Sequence, residues 1–86
     1  MKHALDIAKY TGSLEELAED IGNLRYDALE EFLGLLADKL KKDAVADYDR
    51  NREKLASKLF HAAELVDDAA SEIEEAWVIS APYMNA

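Results

Sequence analysis

The stretch Asp43–Ile79, DAVADYDRNREKLASKLFHAAELVDDAASEIEEAWVI, decides the fold. Stepping from Val45 alternately by three and four residues reaches Val45, Tyr48, Arg52, Leu55, Leu59, Ala62, Val66, Ala69, Ile73 and Ala76. Only Arg52 interrupts the apolar run. A seven-residue repeat held this long predicts a long helix lying side by side with another. Next to the stripe stand Ala56, Ala63, Ala70 and Trp77, and small residues there let a neighbouring helix approach closely. The opposite side, with Arg50, Glu53, Lys54, Ser57, His61, Glu64, Asp67, Asp68, Ser71, Glu74 and Glu75, reads as a solvated face. Pro82 forbids continuation, so the helix should stop near Ile79 or Ser80 and leave 80–86 as a tail.

The partner stripe lies upstream. Ser13-Leu14-Glu15-Glu16 has the form of a capping box, which opens a helix. Leu14, Leu17, Ala18, Ile21, Leu24 and Ala28 make one apolar face; Leu29, Phe32, Leu33, Leu36 and Leu40 make a second, rotated by about one position. Gly22-Asn23 precedes the shift, so residues 13–42 are expected as one kinked helix or a broken pair. Lys39, Lys41 and Lys42 complement a helix C-terminus, and Asp43, Asp47 and Asp49 a following N-terminus. The chain should therefore reverse between Lys41 and Asn51, with the long helix occupying 43–79. Within the segment 1–12, Ala4, Leu5, Ile7, Ala8 and Tyr10 suggest a short helix laid across the hairpin.

The expected fold is all-α: one domain, 1–86, built on a long antiparallel helical hairpin with a short N-terminal helix. A single neighbour shields only one side of so long a stripe. Two copies pairing into a four-helix bundle would shield the rest, so a homodimer is expected. Half of the chain is hydrophobic, enough for a core and too much for disorder. No run approaches the roughly 20 apolar residues that span a bilayer. The N-terminus lacks a signal-peptide core, and cysteine is absent, which together suit a cytoplasmic protein.

The net charge of −9 is sorted along the chain. Residues 1–10 carry +1, 11–38 carry −7, 39–58 carry +3 and 59–86 carry −6. A hairpin reversing near its middle gathers both acidic stretches at one end and places the basic stretch at the tip. Such a surface repels nucleic acid and anionic membrane and suits a basic protein. The acids Asp67, Asp68, Glu72 and Glu75 form the candidate partner-binding patch. Phe60, off the main stripe, is read either as packing under the N-terminal segment or as an exposed aromatic anchor.

Two constellations suggest chemistry. Glu15-Glu16-Leu17-Ala18-Glu19 resembles the Glu-Glu-x-x-Glu of the all-α nucleoside-triphosphate pyrophosphatases. The resemblance implies that Glu15, Glu16 and Glu19 hold Mg²⁺ for phosphohydrolysis. That family carries a second Glu-x-x-Asp on the next helix; here Glu64-Leu65-Val66-Asp67 has the form but comes much later. His61-Ala62-Ala63-Glu64 reverses the Glu-x-x-His order of di-iron bundles and falls on the outer face. Neither hydroxyl nucleophile with base nor phosphate-cradling glycine loop stands out. The expected function is a non-catalytic acidic adaptor or regulator, needing no cofactor. The alternatives are an acidic inhibitor, antitoxin or immunity-type protein that occludes a basic surface, similar in size and charge to small helical immunity proteins, and a Mg²⁺-dependent nucleotide phosphohydrolase.

Overall fold

The computed structural model describes residues 3–83. Three helices follow one another: α1 over Leu14–Gly22, α2 over Tyr26–Asp49 and α3 over Glu53–Ser80, closed by a 3₁₀ turn at Ala81–Tyr83. The fold is all-α, with α2 and α3 packed along their lengths as an antiparallel hairpin. The short helix on the N-terminal side is α1. Residues 3–12, expected to be helical, form only bends and turns. A helix that short lacks the length to hold itself without packing, and its apolar residues stay largely uncovered.

The capping box forms as read: Ser13 Oγ accepts from the Glu16 N–H at 3.1 Å, and Glu16 Oε1 accepts from the Ser13 N–H at 3.0 Å. At Gly22 the chain breaks instead of kinking. Asn23 closes α1, its N–H donating to the Glu19 carbonyl at 2.9 Å. Arg25 then opens α2, held by a two-point ion pair to Asp27 with both contacts at 2.7 Å.

The reversal comes later than the charges suggested. α2 continues to Asp49, so 43–49 belongs to it, and the long helix begins at Glu53. The turn is a Schellman motif: Arg50 caps, Asn51 takes the left-handed conformation at φ 62°, and Arg52 follows. The Asn51 N–H donates to the Tyr48 carbonyl at 3.0 Å and the Arg52 N–H to the Asp47 carbonyl at 2.8 Å. Asparagine tolerates this conformation better than other side-chain-bearing residues. Lys39 and Asp43, read as marking two helix ends, instead pair at i,i+4 within α2 at 2.6 Å. Asp47 in the last turn is offset by Arg52, 3.5 Å away.

The seam between α2 and α3 is lined with alanine. The buried residues among those described are Ala37, Ala44, Ala56, Ala63 and Ala70, seven apart within each helix. Lys41 meets Asp67 across the hairpin at 2.5 Å, a register that sets Ala44 about level with Ala63 and Ala37 with Ala70. The large apolar side chains flank this seam and stay half covered. On α3, Leu59, Val66 and Ile73 lie to one side; on α2, Leu33, Leu36 and Leu40 lie to that same side. The other side carries Glu64, Asp67 and Glu74 from α3 with Asp27, Asp38 and Lys41 from α2. The hairpin therefore has an apolar face and an acidic face.

Enlarging the seam should be costly: Ala63→Leu is expected to lower stability by about 1–3 kcal/mol, read by thermal unfolding, because no void receives the extra carbons. At the turn, Asn51→Gly should hold or slightly raise the melting temperature, whereas Asn51→Val should lower it by the equivalent of about 1–2 kcal/mol.

Candidate functional site

The acidic face is the candidate site. Its frame is the pair of long helices; its chemistry follows from which carboxylates find cations. Arg25 holds Asp27, and their hydrogen bonds keep the aspartate below the ordinary carboxylate range. Lys41 holds Asp67, and that hydrogen bond raises the lysine above its ordinary value. Asp43 and Asp47 are taken by Lys39 and Arg52. Among the described residues Glu30, Glu31, Asp38, Glu64, Asp68, Glu72, Glu74 and Glu75 have no cationic partner within ion-pair distance.

The four predicted patch residues do not behave as one unit. Asp67 sits at the seam and is neutralised by Lys41. Asp68, Glu72 and Glu75 are exposed along the outer edge of α3. The second half of the acidic end comes from α2, not from α1. A hairpin reversing near its middle puts Glu15, Glu16 and Glu19 in the acidic stretch at the same end as α3's acids, but α1 does not pack along the hairpin. The acids that face α3 are Glu30 and its neighbours. Sequence reasoning passed over Glu30; its signal was the seven-residue step that runs from Glu30 to the seam position Ala37.

Glu30 and Glu74 approach each other across the open end of the hairpin. Partial burial first, then the Glu74 carboxyl and the charge of Asp27, push Glu30 above the ordinary glutamate range. At this end the Arg25 guanidinium, at the start of α2, lies 5.2 Å over the Trp77 ring of α3. Trp77 is half buried, as its place beside the alanine line predicted.

Phe60 lies on the acidic side, 36% exposed, with Tyr48 and His61 around an open depression of about 400 Å³ rimmed by Glu53 and Glu64. None of residues 3–12 lines it. His3 lines a different cleft, of about 350 Å³, with Leu40, Leu55 and Leu59 near the turn. Phe60 is thus an aromatic group exposed among carboxylates.

The metal-type constellations stay apart. Glu16 spends its carboxylate on the capping box. Among the described residues no three His, Asp or Glu side chains converge as an ion site requires. His61 and Glu64 border the open depression and bring no further ligand to it. No described helix is long and apolar enough to cross a membrane. Compared with protein-family models, curated proteins and solved structures, the chain matches none.

The raised Glu30 sets a pH signature. An acid whose pKa is higher in the folded than in the unfolded chain takes up a proton on folding. Its contribution is favourable at low pH and is lost as pH rises through the raised value. Glu30→Gln should therefore raise the melting temperature at neutral pH. The gain over wild type should shrink as pH is lowered through the carboxylate range, measured by scanning calorimetry in matched buffers.

Proposed function

We propose that this chain is a non-catalytic interaction protein, an acidic adaptor or regulator whose partner is a basic protein surface. One observation carries the reading: carboxylates without cationic partners are gathered on one face and edge of a rigid two-helix frame. Like charges held together cost stability, a few tenths of a kcal/mol for each close exposed pair on a helix. A cationic partner would offset that cost and gain long-range attraction. Phe60 and Tyr48 add apolar contact area within the acidic surround, the kind of anchor on which binding energy concentrates. The partner is thus expected to bring Lys or Arg together with an aliphatic or aromatic side chain.

The test separates a binding face from a solvated one. The variant Asp68→Lys, Glu72→Lys and Glu75→Lys changes exposed residues only and should keep wild-type helicity. Immobilised wild type should retain basic proteins from cell lysate at about 0.1 M salt and lose them at about 0.5 M, because screening shortens the reach of the charges. The reversed variant should retain none of them. Recovery of the same proteins by both, at both salt concentrations, would sink the proposal. A Phe60→Ala variant should bind with similar salt dependence and a faster off-rate.

A further inference from the structure

We infer that the apolar face of the hairpin is covered by a second copy of this chain, turned end for end, so that the basic turn of each hairpin lies at the acidic open end of the other. This pairing stands independently of the proposed basic partner, which would meet the opposite faces.

Surface area argues for a second copy. A compact 9.6 kDa protein exposes about 5,100 Å². This chain exposes 7062 Å². The difference, about 2,000 Å², falls within the roughly 1,000–2,500 Å² that each partner contributes to an obligate homodimer. The unpacked segment 3–12 and α1 contribute to it together with the apolar face. Compactness tells the same story: the radius of gyration is 15.5 Å, where a compact domain of this length has about 12 Å. No large side chain is fully buried among the described residues, while Leu36 stays 39% and Leu55 46% exposed on that face. Two such faces stacked make a four-helix bundle whose interior is Leu33, Leu36, Leu40, Leu59, Val66 and Ile73 from each copy.

Charge fixes the direction. Residues 39–58, around the turn, carry +3, while 11–38 and 59–86, which meet at the open end, carry −7 and −6. A two-fold axis along the rod would stack turn on turn and open end on open end, like on like. A two-fold axis across the rod sets Lys58 and Arg50 of one copy near α1 of the other, with its Glu15, Glu16, Glu19 and Asp20. It also brings α1, which finds little cover on its own hairpin, alongside the partner's turn-end cleft, where Leu40, Leu55 and Leu59 stand beside Asp43, Asp47, Arg50 and Arg52.

The experiment is analytical ultracentrifugation of the full chain, with spin-label distances. Wild type at about 10 µM should sediment at twice 9.6 kDa. Leu36→Glu should weaken the dimer at least tenfold and keep the helical spectrum, whereas Leu35→Glu, 61% exposed on the outer edge of α2, should change it less than about twofold. Raising salt from about 0.05 to 0.5 M should weaken the end-for-end dimer several-fold; a turn-on-turn dimer would tighten instead. Lys54→Cys labels the cysteine-free chain near the turn. The two labels should lie about 40 Å or more apart, a helix length, against about 25 Å if the turns lie together. A folded wild-type monomer, equal effects of the two leucine variants, tightening with salt or the shorter distance would each overturn the inference.

Discussion

Close approach along the alanine seam is the constraint on which the rest depends. Two helices brought together over Ala37, Ala44, Ala56, Ala63 and Ala70 leave no room between them for leucine. Every larger apolar side chain is displaced to the flanks. Because α2 and α3 run antiparallel, positions stepping the same way round each helix come to the same side of the layer. Leu33 and Leu40 therefore join Leu59 and Val66, and the acids of both helices join each other. A seam of leucines would have buried its own core and left two mixed faces. The small seam yields one face that is mostly aliphatic, with the Asp43, Asp47, Arg50 and Arg52 charges at its turn end, and one dense with carboxylates, so the choice of alanine at five positions shapes both surfaces.

The hairpin itself was legible, since a seven-residue repeat of this length has few other uses. The turn lies at the far end of the Lys41–Asn51 window, and the helix boundary differs from the charge-based one at 42/43 because backbone conformation, not charge, ends the helix. Lys39 and Asp43 looked like the two sides of a boundary, yet the same spacing is an i,i+4 pair inside a helix, and nothing in the sequence separates the two. Two better signals were present. Arg52 is the single break in the apolar stepping, and Asn51 is a residue able to take a left-handed backbone. A stepping rule carried across a turn still lands on apolar residues on both sides, as Val45 and Tyr48 show, because both helices obey it.

The acidic surface was legible in composition and only partly in place. Asp68, Glu72 and Glu75 lie exposed together as their spacing on one helix implies. Asp67 does not act with them, because Lys41, 26 residues away, reaches it across the seam. Glu30 and Glu74 are 44 positions apart, and only the register of the hairpin brings them together. Pairings across a seam follow from register, and register here is set by alanines that carry no chemical label. Residue-level reading along one helix reaches i,i+4 partners and stops there.

The two faces differ in what they ask of a neighbour. Burial of leucine and valine is nondirectional and needs only a matching apolar surface, which an identical hairpin supplies without any further evolution of shape. Carboxylates ask for cations, and four of the chain's own are already engaged: Arg25 with Asp27, Lys39 with Asp43, Lys41 with Asp67 and Arg52 with Asp47. The basic residues not so engaged, Lys42, Arg50, Lys54 and Lys58 among them, sit toward the turn. A rod charged in this way interacts least favourably with itself when aligned and most favourably when reversed, while its acidic side finds no complement in either arrangement. The apolar face is thus satisfied by self-association, and the acidic face calls for a different molecule.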